Sequence, residues 1–413
     1  MGLFYEKLRM QQEMTDRGRL EIRVNTRIQA RPVSGARVTV SYTGDPQNVI
    51  EELITDGDGR TETLDLATPP LEYSLEPNVN QPYSEYTVKV EAEGYELVEV
   101  TGSELLSGEQ SVQQVDLKLA EGAAFADVTI PDHTLFGEYP AKIPESEIKP
   151  TRESGEIVLS RVVIPEYIIV HDGAPTDSTA RDYYVRYRDY IKNVACSEIY
   201  ATWPDAAIRA NILAIMSFTL NRVYTEWYRN KGYDFTITSS TAYDHKWIYG
   251  RNIFDSISLV VDEIFADYLS RPNVKQPILT QYCDGNRVSC PNWMSQWGSK
   301  NLADQGYSTI QILRNYYGDN MYINTAEEIS GIPSSWPGYD LTIGSSGNKV
   351  LQMQEQLNVI AEVYSSIPTV YEMAISMKRR RTPSKRSSGC SACRFPALWI
   401  IRHGTKFSRF MWL

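Results

Sequence analysis

A chain of 413 residues is longer than a single ordinary core needs, which points to two or three domains. With 42% hydrophobic residues and 27 tyrosines it has the makeup of a folded protein, and no stretch approaches the roughly 20 apolar residues that a membrane-spanning helix requires. The net charge of −11 is unevenly spread, because residues 373–413 carry ten Lys or Arg and no acid and leave the rest near −21; so acidic a body argues against nucleic acid or an anionic membrane as partner and favours a neutral or sugar-like ligand.

In chain order, residues 1–18 mix both charges and lack the basic start, apolar run and small-residue cleavage site of a secretory signal, so they read as a leader without a signal peptide. Residues 19–120 alternate polar and apolar side chains in short runs: Leu20–Val24, Ala36–Tyr42, Tyr86–Ala92, Tyr95–Val100 and Val112–Leu119. Period two with turn residues between the runs predicts an all-β sandwich. Asp56-Gly-Asp-Gly59 reads as a plain turn, since the ligand spacing and closing glutamate of a calcium loop are missing. Residues 121–165, with Pro131, Pro140, Pro144 and Pro150, read as a linker lying over the surface.

From 166 to 330 the pattern is mixed. Val162–Val170 is strand-like. A long helix is predicted from Thr202-Trp-Pro-Asp205 to about Asn230, capped by Thr202 and ended by Gly232, with one core face formed by Ile208, Ile212, Ile215, Thr219 and Val223. Further helices are predicted over Asp255–Tyr268 and Ser308–Tyr317. Five cysteines are too few and too scattered for a disulfide scaffold. Cys283 and Cys290 suit either a disulfide or two metal ligands, with His245 the one further candidate ligand; no metal site and no cofactor are expected.

Glu198 lies in Ala195-Cys-Ser-Glu-Ile-Tyr200, among apolar and tyrosine residues, where burial would raise its pKa; the plain alternative is an exposed or capping glutamate in a connecting turn. Asp205 has a sufficient structural reason to exist as a helix N-terminal acid. His245, a lone histidine, is a base, a ligand or simply a packing residue.

Three ordered motifs between Tyr190 and Gly318 carry a resemblance. Tyr190-Ile-Lys-Asn-Val-Ala-Cys-Ser-Glu198 with Trp203-Pro204 and Ala207-Ile-Arg-Ala-Asn211 resembles the opening of the stage II sporulation protein D (SpoIID) family. Met294-Ser-Gln-Trp-Gly298, Gln305-Gly306 and Ile312-Leu-Arg-Asn-Tyr-Tyr-Gly318 resemble its closing M-S-Q-x-G-A, Q-G and I-L-x-x-Y-Y-x-G. The wording Ser197-Glu-Ile-Tyr-Ala-Thr-Trp-Pro204 is similar to clostridial spore cortex-lytic enzymes of the SleC type.

The resemblance implies an α+β catalytic domain over 166–330 and a lytic transglycosylase that cleaves the MurNAc–GlcNAc bond of spore-cortex peptidoglycan. It also implies a precursor in which 19–120 is a pro-segment and an activating protease cuts within the Pro-rich stretch, and a location in the spore reached without a classical signal. The family's glutamate at the start of its E-A-L-K-A-Q helix aligns with Ala206, which leaves Glu198 as the expected acid and Asp205, one position away, as second candidate. Tyr282, Ser295, Gln296 and His245 are expected to contact substrate. The family's His-Cys pair becomes His245-Lys246, which argues against a zinc site. Rival readings are a non-catalytic binding protein of the amidase-enhancer kind and a structural spore or envelope protein.

Residues 340–372, with Gly344, Gly347 and Val350-Leu-Gln-Met-Gln-Glu-Gln-Leu-Asn358, are similar to the first helix of a small helical peptidoglycan-binding domain. The pattern then stops, and the acid-free 373–413 reads as a non-native, frameshifted tail, with a genuine basic tail as the alternative.

Overall fold

The computed structural model describes residues 15–27, 30–120, 125–149 and 161–328, with Gln354 and Asn358; most of the expected leader, most of the expected wall-binding remnant and the basic tail fall outside the described residues. The architecture is multi-sheet and mostly β, with five α-helices among the described residues.

The N-terminal region supplies β1 (Asp16–Thr26), β2 (Arg37–Tyr42), β3 (Asp45–Ile54), β4 (Leu64–Thr68), β5 (Ser84–Glu91), β6 (Leu97–Leu105), β7 (Gln110–Leu117) and β8 (Phe125–Thr129). Strands β7, β1 and β4 lie side by side in one sheet, and β3-β2-β5-β6-β8 form the other. Alternation sets their faces: Leu20, Ile22 and Val24 of β1 share one core with Val38 and Val40 of β2 and Val88 and Val90 of β5. All five expected strands are present. Sequence reading missed β3 and β4. Strand β3 is exposed on both faces over most of its length, so it carries no alternation to read. The turn at Asp56 is built by its side chain, which accepts the N–H groups of Asp58 and Arg60.

The stretch 121–165 is not a surface linker where it is described. Strand β8 extends the second sheet alongside β6, and beyond it His133, Thr134, Tyr139, Lys142 and Lys149 are buried. Prolines and charges suggested an exposed tether, but the backbone here finds partners inside. Gln281 holds the backbone on both sides, donating to Ile143 O at 3.0 Å and accepting from Glu145 N at 3.2 Å. Gln276 does the same for Lys149, at 2.8 and 3.1 Å.

The remaining elements are β9 (Val163–Ile164), β10 (Tyr167–His171), β11 (Asp182–Arg186), α1 (Tyr187–Glu198), α2 (Asp205–Tyr224), β12 (Ile237–Thr238), β13 (Ile253–Phe254), α3 (Asp255–Ile264), β14 (Asp267–Ser270), β15 (Tyr282–Cys283), β16 (Met294–Ser295), α4 (Gln296–Asp304), α5 (Thr309–Tyr317), β17 (Tyr322–Thr325) and β18 (Glu327–Glu328). The long helix is shorter than expected. Pro204 stands at its N-cap, Thr202 instead donates to Ser74 Oγ at 2.8 Å, and Gly232 closes a separate short 3-10 turn. Nor is α2 buried on one face only: every residue from Ala210 to Tyr224 is buried, which makes it the central element of this region. The helix predicted to reach Tyr268 stops at Ile264, because Tyr268 pairs with Asn324 in the β14–β17 ladder. The capping box of Ser308 and Gln311 starts α5 where expected.

The two regions are joined by hydrogen bonds as well as by chain. Strand β13 adds to the first sheet against β7, giving the order β13-β7-β1-β4. Asn252 exchanges two bonds with the backbone of Glu104, at 2.6 and 2.9 Å. The buried Glu104 carboxylate pairs with Arg251 at 2.5 Å and with His133 at 3.1 Å. Burial pushes Glu104 up, but Arg251 and His133 outweigh it and hold the carboxyl below its ordinary value. Arg251→Met should therefore leave a buried carboxylate without its cation and cost about 3–5 kcal/mol in urea unfolding, whereas adding Glu104→Leu should recover most of that loss.

Candidate active site

Helix α1 buries Tyr187, Tyr190, Ile191, Val194 and Ala195, and its last residue is Glu198. Sequence reading predicted no helix over these residues and left a connecting turn as the plain alternative for Glu198. A carboxyl at a helix C-terminus meets the negative end of the helix dipole, which favours the protonated form. Glu198 is 1% exposed. Its Oε1 accepts the backbone N–H of Lys246 at 2.6 Å, and its Oε2 accepts the hydroxyl of Tyr282. Gln296, the first residue of α4, donates from Nε2 to the Glu198 carbonyl at 3.2 Å and so satisfies one of the helix-end carbonyls. Burial drives the Glu198 carboxyl up to about 7, against the opposing pull of Lys142, the Lys246 N–H and the Tyr282 hydroxyl.

Three segments thus meet around Glu198: the end of α1 supplies the carboxyl, the loop at His245 and Lys246 a backbone N–H, and the β15–β16 pair with the start of α4 the Tyr282 hydroxyl and the Gln296 amide, Tyr282 lying beside Met294 and Cys283 beside Ser295. His245 stacks on Tyr282 with centroids 5.8 Å apart and planes at 12°, and its Nδ1 bonds the Tyr190 hydroxyl at 2.9 Å. Burial, with Lys142 and Arg222 nearby, holds its pKa well below the ordinary imidazole value, so the ring is neutral. Its Nε2 has no hydrogen-bond partner among the described residues, nor have Gln296 Oε1 and the Tyr139 hydroxyl.

Lys142 completes the cluster. Its ammonium lies 4.5 Å from the Tyr282 ring centroid and 4.7 Å from that of Phe218, with no hydrogen-bond partner among the described residues. Burial pulls it down to about 8, opposed chiefly by Glu198 and Asp244. Sequence reading missed Lys142 and Tyr139 because both fall in the stretch taken for a linker; a lysine between Pro140 and Pro144 gives no signal of burial.

Asp205 does not join the cluster. It sits exposed in the first turn of α2, with its carboxylate on Arg209 at 2.8 Å, the structural role that a helix N-terminal acid needs. Ser295 is the N-cap of α4 and accepts Gly298 N–H at 2.8 Å, so its hydroxyl is engaged in capping rather than turned to a ligand. Tyr282, Gln296 and His245 surround Glu198 but are themselves buried, and present no surface to a ligand in this arrangement. Cys283 and Cys290 form a disulfide. No cluster of three or more His, Cys, Asp or Glu among the described residues could hold a metal ion.

No known family profile and no curated protein matches the chain. Among solved structures it is similar to the Bacillus anthracis TIE protein (18% identity over 25% of this chain and 17% of that one, TM-score 0.18). It is also similar to GBS52, the minor pilin of Streptococcus agalactiae (12% identity, 29% and 50%, TM-score 0.19), and to Klebsiella pneumoniae 5-hydroxyisourate hydrolase (14% identity, 25% and 99%, TM-score 0.17). The chain spans about a sixth of the first of these and half of the second. Overlaps this loose carry no argument about function.

The raised pKa of Glu198 has a consequence for stability. An acid whose folded pKa lies above its unfolded value favours folding fully below the unfolded value, and that contribution is lost as pH rises through the folded one. For Glu198 the window runs from 4.5 to about 7. Glu198→Gln, always neutral, should lose less stability than the parent between pH 4 and pH 8, the difference being on the order of 3 kcal/mol for a fully buried group. Parallel stability–pH profiles of parent and variant across that range would show that the carboxyl titrates in the folded protein as it does in the unfolded chain.

Proposed function

We propose that this protein is a lytic transglycosylase acting on the glycan strands of peptidoglycan, with Glu198 as its single acid and base. The observation that carries the reading is a carboxyl poised near neutrality, gripped on one oxygen by a backbone N–H and on the other by a tyrosine hydroxyl, and lying in the segment that resembles the opening of the SpoIID family. Glycosidic cleavage needs such a group, protonated near neutral pH and rigidly held. Protonated Glu198 gives its proton to the glycosidic oxygen of the departing GlcNAc as the C1–O bond breaks. The resulting carboxylate then takes the proton of the muramoyl 6-hydroxyl while O6 bonds to C1, closing the 1,6-anhydro ring and restoring the acid. No water is consumed.

The precursor reading also has support in the geometry. Glu198 is closed off from solvent, and the segment Tyr139–Lys149 is part of the closure: Lys142 is packed beside the site, Ile143 N donates to Ala242 O at 2.7 Å, and Glu145 clasps Arg222 at 2.6 and 2.8 Å. Because β13 and Asn252 tie the β-rich region to the rest, we propose that activation displaces this strap rather than shedding the whole N-terminal region. A protease cut within residues 150–160 would free the strap at its C-terminal end. Spore cortex is the proposed substrate and the spore the proposed location. Among the described residues no helix is long and apolar enough to cross a membrane.

One observation favours the rival, a non-catalytic wall-binding protein: the full burial of Glu198 also suits a purely structural glutamate. The experiment is to place a specific protease site between residues 150 and 160, incubate intact and cut protein with cortex fragments, and assay 1,6-anhydromuropeptides by mass spectrometry. Product from the cut protein, little from the intact one, a loss of at least 100-fold in Glu198→Gln and no loss in Asp205→Asn are expected. Undiminished product from Glu198→Gln, or none from the cut parent, refutes the assignment.

A further inference from the structure

The loop that grips Glu198 continues directly into a stack of aromatic rings. Lys246 supplies the N–H to Oε1, and Trp247 and Tyr249 follow on the same loop. Tyr183, on β11, packs against both: its ring centroid lies 5.0 Å from that of Tyr249, with planes at 29°, and 5.1 Å from that of Trp247 at 41°. Trp247 and Tyr249 are 6.4 Å apart. Three rings in mutual contact from two separate elements form a fixed platform, not a chance exposed side chain. Tyr249 keeps 36% of its surface in solvent and Tyr183 is half-buried, whereas Trp247 is buried and its indole N–H has no hydrogen-bond partner among the described residues.

Such a platform suits one class of ligand. A pyranose ring in a β-linked chain offers a flat face of C–H groups, which carry partial positive charge and are attracted to the negative face of an aromatic ring. Chain geometry sets the spacing. Tyr249 is three positions on from Lys246, and at roughly 3.3–3.6 Å per extended residue the platform lies within about 11 Å of the backbone that holds the acid. A glycan strand is long enough to touch both at once. We propose that Tyr183, Trp247 and Tyr249 form a glycan subsite for a β-1,4-linked N-acetylamino sugar a short way along the strand from the scissile bond. The inference rests on the reading of Glu198 as a glycan acid. Unlike that acid, the platform shows Tyr249 and part of Tyr183 to solvent over the buried Trp247, so it serves as the place where the closed precursor already holds its polymer.

The probe is chitohexaose, titrated into the intact, uncut protein and followed by tryptophan fluorescence and calorimetry. Binding should be saturable. Tyr249→Ala should weaken it about fivefold to tenfold, the range set by the loss of one ring stack. Tyr249→Phe, which keeps the ring, should bind within twofold of the parent, and so should Tyr307→Ala, an exposed tyrosine on another segment. Unchanged melting temperatures for the variants would show that the fold is intact. Absence of chitohexaose binding, parent-like binding by Tyr249→Ala, or an equal loss in Tyr307→Ala would overturn the subsite. Because the titration needs no turnover, it is separable from the function itself: anhydro product from the cut protein without a Tyr249 effect removes the subsite alone, and Tyr249-dependent binding without product removes the transglycosylase alone.

Discussion

A helix with no solvent face has to be enclosed on every side, and beyond its first turn α2 is such a helix. Its apolar residues demand neighbours all round, and its polar ones demand partners in the same places. Asn211 is met by Ser299 of α4 at 2.8 Å, Ser217 by the backbone of Leu269 on β14 at 2.6 Å, and Asn221 by the carbonyl of Pro277 at 2.7 Å. Each of these bonds ties a neighbouring helix, strand or loop to α2. The site follows from this arrangement, because Phe218 of α2 lies against His245 and under the Lys142 ammonium, while Arg222, one turn on, takes up Asp244 and Glu145.

Arg222 shows how charge is handled in this interior. Its side chain is fully buried between two carboxylates, and Asp244 Oδ2 in turn accepts from Tyr228 at 2.6 Å and from both the N–H and the hydroxyl of Thr238. A buried cation so surrounded costs little beyond its own desolvation, and it determines where its partners must stand. The Arg222 and Lys142 cations both act on His245, which stays neutral beneath them. Around Glu198 the satisfaction is less complete: the carboxyl is well held, yet Lys142 Nζ, His245 Nε2, Gln296 Oε1 and the Tyr139 hydroxyl lack hydrogen-bond partners among the described residues. That contrast between a closed charge network and a cluster of unpaired polar groups separates the supporting layer from the candidate site.

Much of this was legible in the sequence, and the reasons for the rest are physical. Leu20, Ile22 and Val24 reveal a strand because one of its faces is buried, whereas β3, exposed on both, leaves no pattern. Glu198 was singled out by its apolar setting and its motif, and Gln296, Tyr282 and His245 meet it. Asp205 and Ser295 satisfied the same spacing arguments but belong to helix ends, where an acid or a hydroxyl has work of its own. Sequence pattern reports the burial of regular elements, so it is silent on irregular chain that happens to run through the interior. Residues 131–149 are of that kind, and Lys142 and Glu145 were invisible for this reason.

The strap and the acid are linked electrically as well as sterically. Burial pushes Glu198 up and pulls Lys142 down, and each group's charge partly offsets the shift of the other, leaving the pair at about 7 and about 8. Withdrawing the strap, as the proposed activation requires, would remove the cation that lowers the carboxyl and at the same time admit water, which weakens the burial that raises it. These two changes act in opposite directions. The hydrogen bonds from Lys246 N–H and Tyr282 come from other segments, remain in place and continue to orient the carboxyl. An acid held by groups outside its cover can be uncovered without being taken apart, and that is what a site made closed and opened later requires.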